Sequence, residues 1–243
     1  MATVTVQFFG ELNDFLPHNQ RNQKIVFSLS QKTAIKHILE SLGVPHPEIG
    51  RVVIAHHETG LAGHACDGDF IEVYPHQPSP QLETDPVPAF VLDNHLGKLA
   101  GYMRLLGLDV LYNPAWQDEQ LAQVAHQYNR ILLTRDRGLL KRKIVHLGYC
   151  VRADNPLDQV LEVIGRYQLT VAISPFKRCQ RCNGLLEKVE KSAIDDQLQP
   201  LTRQYFNEFT RCADCGQIYW KGSHYQRIQE LLHPFIPQPS GEQ

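Results

Sequence analysis

The chain has 243 residues, enough for two or three small domains, and its formal net charge is −2. Its hydrophobic content of 42% and charged content of 21% are ordinary for a folded protein. No apolar run reaches the roughly 18 residues that a membrane-spanning helix needs, and the N-terminus lacks the basic-then-apolar pattern of a secretion signal. We therefore expect neither a membrane protein nor a secreted one.

The charge is distributed unevenly. Residues 1–87 hold 5 Lys and Arg against 10 Asp and Glu, a net charge of −5. Residues 88–172 hold 10 against 8, and residues 173–243 hold 9 against 8, which gives +2 and +1. An acidic N-terminal region followed by slightly basic regions is compatible with nucleic-acid contact by residues 88–243.

Residues 1–77 are predicted to form a ubiquitin-like β-grasp domain. Apolar residues alternate around Val6 and around Phe27, which is the pattern of half-buried strands. A helix is predicted from Ile35 to Leu42, because its apolar residues share one face and a glycine follows. Further apolar runs supply two more strands, and two strands, a helix and two strands make a β-grasp fold.

This segment resembles the small sulfur-carrier proteins of molybdopterin and thiamine synthesis, notably in Val6-Gln7-Phe8-Phe9-Gly10-Glu11-Leu12 and Gly68-Asp69-Phe70-Ile71-Glu72-Val73. Such carriers end in a flexible Gly-Gly whose carboxylate is activated. Here Tyr74-Pro75-His76 continues into a further segment instead. The departure predicts a docking or packing role, with another protein as a possible partner, and no carrier chemistry.

Residues 78–88 are rich in proline and are predicted to form a semi-rigid linker. In residues 89–172, continuous apolar runs alternate with segments of helical periodicity, as in a parallel sheet with helices on both faces. The predicted fold class is therefore α/β. Neither a G-x-G-x-x-G nor a G-x-x-x-x-G-K-[ST] motif occurs, so neither a dinucleotide site nor a P-loop is supported.

Acidic residues follow the predicted strands of this second domain. Asp93, Asp136 and Asp154 come just after strands, and Asp118 with Glu119 opens a helix. Ligand sites of open α/β sheets form outside the carboxyl ends of the strands, so we expect these carboxylates to converge. Clustered carboxylates repel one another unless a hard cation such as Mg²⁺ or Mn²⁺ lies between them. The array predicts phosphodiester hydrolysis assisted by one or two metal ions.

Each carboxylate also has a structural alternative. Asp118 is equally placed to cap its helix and to ligate a metal ion, and if it caps the helix, Glu119 could supply the metal ligand instead. Asp136 could cap a short turn or pair with Arg135 or Arg137. Asp154 precedes Asn155-Pro156, which can cap a helix without it. Asp93 is the hardest to explain structurally, because an unpaired charge at the end of a wholly apolar strand is costly.

A basic run lies beside Asp136 and consists of Arg135, Arg137, Lys141, Arg142 and Lys143. A solvated face is its default interpretation, and positioning of phosphate groups is the second. The residues expected to bind substrate are Arg104, Arg135, Arg137, Lys141 and Arg142.

Two C-x-x-C pairs, Cys179 with Cys182 and Cys212 with Cys215, are separated by 29 residues. Four thiolates complete the tetrahedral shell that zinc prefers, with Zn–S distances of about 2.3 Å, and leave no position for water. A redox C-x-x-C motif would appear once, whereas this one is duplicated and turn-forming residues follow each pair. We predict a structural zinc module over residues 173–233 and a flexible tail over residues 234–243. Reduced cysteines of this kind favour a cytoplasmic location.

The quoted motifs resemble the PIN-like RNase family named after the C-terminal domain of the Mut-seven exonucleases. The resemblance is carried by Phe90-Val91-Leu92-Asp93, by Leu96-Gly97-Lys98-Leu99-Ala100, by Leu133-Thr134-Arg135-Asp136-Arg137 and by the cysteine motifs up to about residue 230. It implies an RNase that depends on Mg²⁺ or Mn²⁺, with Asp93, Asp118 and Asp136 in a PIN-type acidic site.

Two functions are therefore expected from this sequence. The first is a metal-dependent endoribonuclease that acts on RNA through the acidic site. The second is a non-catalytic adaptor that binds RNA or the ribosome through the zinc module, whose basic residues alternate with aromatic ones able to stack on unpaired bases. Convergence of the carboxylates around one cation would distinguish the two.

Overall fold

The structure is a computed structural model and describes residues 2–29, 33–77, 87–222, 225, 226, 230 and 233. The chain forms two units: Met1–Pro78 with Ala115–Arg152, and Ser79–Pro114 with Ala153–Gln243. The predicted linker, residues 78–88, lies outside the described residues except for its last two positions. The predicted tail, residues 234–243, lies wholly outside them.

The strands and helices have the following bounds in chain order. The strands are β1 (Ala2–Phe8), β2 (Lys24–Leu29), β3 (Thr33–Ala34), β4 (Ile49–Ile54), β5 (His57–Thr59), β6 (His64–Ala65), β7 (Phe70–Pro75), β8 (Phe90–Leu92), β9 (Val110–Tyr112), β10 (Ile131–Thr134), β11 (Gly148–Cys150), β12 (Leu186–Val189), β13 (Phe209–Cys212) and β14 (Ile218–Trp220). The helices are α1 (Ile35–Ser41), α2 (Gly97–Leu105), α3 (Asp118–Gln127), α4 (Arg137–Leu140), α5 (Pro156–Tyr167) and α6 (Pro200–Tyr205).

The N-terminal part of the first unit is a β-grasp domain, as predicted. Its five-stranded sheet has the order β2-β1-β7-β4-β5, with β1 parallel to β7 and antiparallel to β2. The alternation in β1 places Val4, Val6 and Phe8 in the core. The apolar face of α1, with Ile35 and Ile38, is fully buried.

The rest of the first unit contains α3, β10, α4 and β11. Strands β10 and β11 are parallel, with Leu132 opposite Gly148 and Thr134 opposite Cys150. All four residues of β10 are buried, as its continuous apolar run predicts. Strand β11 begins two residues before the predicted Cys150-Val151 run, because its pairing with β10 and not its own apolarity defines it.

The second unit has a parallel pair of its own. Strands β8 and β9 align Phe90 with Val110 and Leu92 with Tyr112, and α2 connects them. Gly107 follows α2 with φ of +89°, and its Cα faces the backbone of Ser174, so a side chain would fit neither the conformation nor the space. Parallel strands that alternate with helices confirm the predicted α/β class.

The C-terminal part of the second unit is a ribbon of three antiparallel strands in the order β12-β13-β14. Its small core consists of Ile194, Leu198 and Phe209, with partly buried apolar residues around them. Such a core is too small to stabilise a domain by itself, so the module needs a further stabilising element. Among the described residues, no helix has the length and apolarity to cross a membrane.

We predict that the N-terminal domain forms no acyl-adenylate and no thiocarboxylate. Where the carriers have a free Gly-Gly tail, strand β7 continues through Pro75, which lies opposite Ile49 in the sheet. Mass spectrometry after incubation with ATP and an activating enzyme of the carrier pathways should show an unmodified chain, with a genuine carrier protein as the positive control. An adduct at a processed terminus near residue 75 would contradict the prediction.

Candidate functional site

The four cysteines of the C-x-x-C pairs lie together in the second unit, with all four Sγ atoms within 4.8 Å of one another. The Sγ atoms of Cys182 and Cys212 are 3.4 Å apart, and those of Cys179 and Cys215 are 3.7 Å apart. A tetrahedral S₄ site with Zn–S of about 2.3 Å has sulfur–sulfur edges of about 3.8 Å. The donor set therefore fits a metal such as zinc.

Backbone turns hold each pair in place. The amide of Asn183 donates to the carbonyl of Cys179, and the amide of Gly216 donates to that of Cys212. Asn183 and Gly216 both have left-handed conformations, with φ of 76° and 72°. Asparagine and glycine are the residues that adopt this conformation most readily, so the sequence favours a turn after each C-x-x-C pair.

The thiols influence one another's ionisation. Burial raises the pKa of Cys179, but hydrogen bonds from the Tyr219 hydroxyl, at 3.0 Å, and from backbone amides outweigh it and lower this pKa to about 7. Burial and the neighbouring thiols raise the pKa of Cys182 far above its ordinary value. One thiolate thus forms readily, whereas full ionisation of the group requires a cation. The sequence motif did not predict the contact of Tyr219.

Arg104 connects this cysteine cluster with the α/β part of the unit. Its Nε donates to the carbonyl of Val110 at 2.9 Å, and one terminal nitrogen donates to the carbonyls of Gln180 and Arg181 at 3.1 and 2.9 Å. Arg104 is 4% exposed, and burial lowers its pKa against the opposing effect of Cys182 and the other nearby anionic groups. The residue was expected to bind substrate, but the structure places its guanidinium in a structural link inside the unit.

Asn183 and Arg178 extend the link to β9. The side chain of Asn183 accepts from the amide of Val110 at 3.0 Å and donates to Asp109 at 2.9 Å. Arg178 forms an ion pair with the same aspartate at 3.3 Å. The first C-x-x-C turn is thus bonded to both ends of the connection between α2 and β9.

Asp93 lies at the carboxyl end of β8 in the second unit. It is 5% exposed, and its Oδ1 accepts a hydrogen bond of 2.6 Å from the amide of Asn94. The residue thereby caps the short helical turn Asn94–Leu96. Asp154, in the same unit, is exposed, and the N-cap of α5 is Asn155, as predicted.

Asp136 lies just past β10 in the first unit and caps α4. Its Oδ1 accepts from the amides of Gly138 and Leu139 at 2.6 and 3.4 Å, and its own amide donates to the hydroxyl of Thr134 at 2.9 Å. The capping alternative raised from the sequence is confirmed. The residue as a whole is exposed.

Asp118 and Glu119 are the first two residues of α3. The alternative that Asp118 caps this helix is wrong, because Gln117 and Gln120 form a reciprocal capping box there. Asp118 is half-exposed and lies 3.9 Å from Arg142, and Glu119 is exposed. Capping therefore does not account for either carboxylate.

Two of the basic residues beside Asp136 are engaged by backbone carbonyls of the N-terminal domain. Arg137 donates to Phe15 and Lys141 donates to Glu40. Arg135 and Arg142 are exposed. Across the part of the chain that the structure describes, the four cysteines are the one group of three or more His, Cys, Asp or Glu residues close enough to hold a metal ion.

Two models of known protein families match the chain, one over the N-terminal domain and one over the residues that follow it. The model described as the Mut7-C RNAse domain matches residues 88–232, and the model described as Mut7-C ubiquitin matches residues 1–80. No curated protein and no solved structure matches the chain significantly. The first match indicates a function connected with RNA, and the second indicates interaction with protein.

Proposed function

Because the chain belongs to the Mut7-C RNAse domain family, we propose that it is a metal-dependent endoribonuclease that hydrolyses phosphodiester bonds of RNA. The observation that carries the proposal is Asp93, a nearly buried carboxylate at the carboxyl end of a parallel strand. A buried carboxylate needs hydrogen bonds or a cation to satisfy it, and the carboxyl ends of parallel strands are where α/β proteins bind ligands.

In this proposal Asp93, Asp118 and Asp136 hold Mg²⁺ or Mn²⁺, with Glu119 and Asp154 as further carboxylates. Such an ion supplies Lewis-acid activation of water and neutralises charge on the phosphate. Magnesium sites often use one or two carboxylates and complete their shell with water and substrate phosphates. Hydrolysis of this type would leave 5′-phosphate and 3′-hydroxyl ends.

The exposed cations Arg135 and Arg142 are the proposed phosphate contacts. Arginine forms planar, bidentate hydrogen bonds with phosphate, and phosphate contacts set the register of a nucleic acid without specifying its sequence. The pairing of Arg142 with Asp118 at 3.9 Å joins two side chains that are 43% and 50% exposed, so it contributes little stability and can be exchanged for phosphate.

For the cysteine cluster we propose structural zinc, held by Cys179, Cys182, Cys212 and Cys215. Four sulfur ligands leave no open position, so the ion would take no part in hydrolysis. Its contribution is to the stability of the small C-terminal core.

The zinc module also gives the adaptor function a specific basis. An open cavity of about 450 Å³ beside the second cysteine pair is lined by Lys188 and Arg211 among others. Tyr205 is 67% exposed and Trp220 is 37% exposed on the same module. Exposed aromatic rings near cations are able to stack on unpaired bases, so RNA binding without cleavage remains the second candidate.

The two functions predict different results with a mixed panel of RNA and DNA. We expect single-stranded RNA to be cleaved when Mn²⁺ or Mg²⁺ is added and to remain intact after both are removed, with new 5′-phosphate ends detectable by ligation. Binding should be measured on the same panel by fluorescence anisotropy. Binding of RNA without any metal-dependent cleavage would replace the nuclease with the adaptor.

A further inference from the structure

The N-terminal domain holds both ends of helix α4 in the first unit. The guanidinium of Arg137 donates to the carbonyls of Phe15 and Asp14 at 2.9 and 3.3 Å and lies over the Phe15 ring, 5.0 Å from its centre. At the other end of α4, Lys141 donates to the carbonyl of Glu40 at 2.7 Å. These carbonyls lie in the last turns of the helical segment Gly10–Phe15 and of α1, where a cation also meets the negative end of the helix dipole.

The contact continues beyond α4. His46 lies with Nε2 2.7 Å from the carbonyl of Val145. Glu48, which is fully buried, accepts from the amide of Cys150 at 2.5 Å and lies 3.4 Å from the guanidinium of Arg152. Burial of a carboxylate is tolerated only where hydrogen bonds and a counter-charge satisfy it. The contact is therefore specific. Separation of the N-terminal domain from the segment after α4 would expose these charged groups or remove their partners.

Helix α4 needs such support, because it has only four residues. A single turn has too few hydrogen bonds to be stable by itself, and its position depends on what packs against it. Leu139 and Leu140 anchor it through the core. The carboxylate of Asp136 takes its orientation from the amides of Gly138 and Leu139, so any movement of α4 moves that carboxylate too.

We propose that the N-terminal ubiquitin-like domain positions Asp136 for cleavage by holding α4 through Arg137 and Lys141. The inference rests on the proposed function, in which Asp136 is a metal ligand. It assigns these two cations to positioning, whereas the sequence placed them in substrate binding. It also gives the domain a role within its own chain, which is to hold in place the segment that carries the Asp136 carboxylate. We call the contacts of Arg137 and Lys141 with this domain the clamp.

The test replaces Arg137 and Lys141 by methionine, singly and together, in the full chain. Methionine retains much of the aliphatic stem and removes the donors. We expect the double variant to lose roughly 10- to 100-fold in kcat, because small displacements of a catalytic group have effects of that size. KM for RNA should change little, since no ground-state contact with substrate is lost. The amide hydrogens of Gly138 and Leu139 should also exchange faster than in the parent.

Lys24→Met is the control, because Lys24 is an exposed cation of the same unit that lies on β2, outside the basic run beside Asp136. It should leave kcat, KM and amide exchange at the parent values. A rise in KM with unchanged kcat would overturn the inference and return Arg137 and Lys141 to phosphate binding. If the parent chain cleaves no RNA, the proposed function fails, and exchange at Gly138 and Leu139 still decides whether the clamp exists: unchanged exchange in the double variant would refute it.

Discussion

Asp93→Asn should abolish metal-dependent cleavage of RNA and leave both the fold and RNA binding intact. Loss of a residue that merely supports a metal ligand costs about 10- to 100-fold in affinity or activity, so loss of a ligand should cost at least as much. Asparagine caps a helical turn as well as aspartate does, so the hydrogen bond from the amide of Asn94 can be retained. The free energy of unfolding should therefore change by less than about 1 kcal/mol, and it should increase if repulsion between carboxylates is relieved.

The measurements are cleavage rate at several Mn²⁺ concentrations, RNA affinity by anisotropy, and the midpoint of thermal unfolding. Asp158→Asn is a suitable control, since Asp158 is an exposed carboxylate of the second unit, in the first turn of α5. It removes the same charge without touching a proposed ligand. If Asp93→Asn cleaves RNA at the parent rate, the acidic-site proposal fails. If it unfolds the chain, the charge of Asp93 is needed for the fold, and its role is structural.

The elements that could be predicted from the sequence are those whose signal is local. The alternation of Val4, Val6 and Phe8 predicts β1 because the side-chain period of a strand is two. The spacing of the cysteines predicts their cluster, because each C-x-x-C turn brings its own two thiols together. Asp136 was correctly identified as a possible cap, since only the next three residues decide that role.

The parts that could not be predicted depend on partners far away in the chain. Arg104 finds its acceptors 76 and 77 residues later, at carbonyl groups that any sequence possesses. Glu48 accepts from the amide of Cys150, 102 residues away. Nothing in either local sequence distinguishes these residues from exposed charges. Gln117 was missed for a different reason, since glutamine is not among the preferred N-cap residues and its role depends on a reciprocal bond with Gln120.

Loss of the zinc site should unfold the C-terminal module and also loosen the α2–β9 connection. In Cys179→Ser the four-thiolate site is broken, and structural zinc contributes apparent binding energies of about 10–16 kcal/mol in small zinc domains. That exceeds what a core of three buried side chains can replace. The amide of Val110 would lose its acceptor on Asn183, and Arg104 would be left buried without the carbonyls of the C-x-x-C turn.

An unsatisfied buried charge of this kind destabilises a fold by about 1–3 kcal/mol or more, so protection should fall at β9 as well as in the ribbon. Hydrogen exchange in Cys179→Ser, with excess Mg²⁺ present, should show rapid exchange across β12, β13 and β14 and faster exchange at Val110. The β-grasp sheet of the first unit should keep its protection. Cys66→Ser is the control, because Cys66 is an exposed thiol outside the cluster. A disulfide among the four cysteines or a zinc-free purified chain would refute the zinc assignment, and unchanged exchange at Val110 would show that the module and β9 are energetically independent.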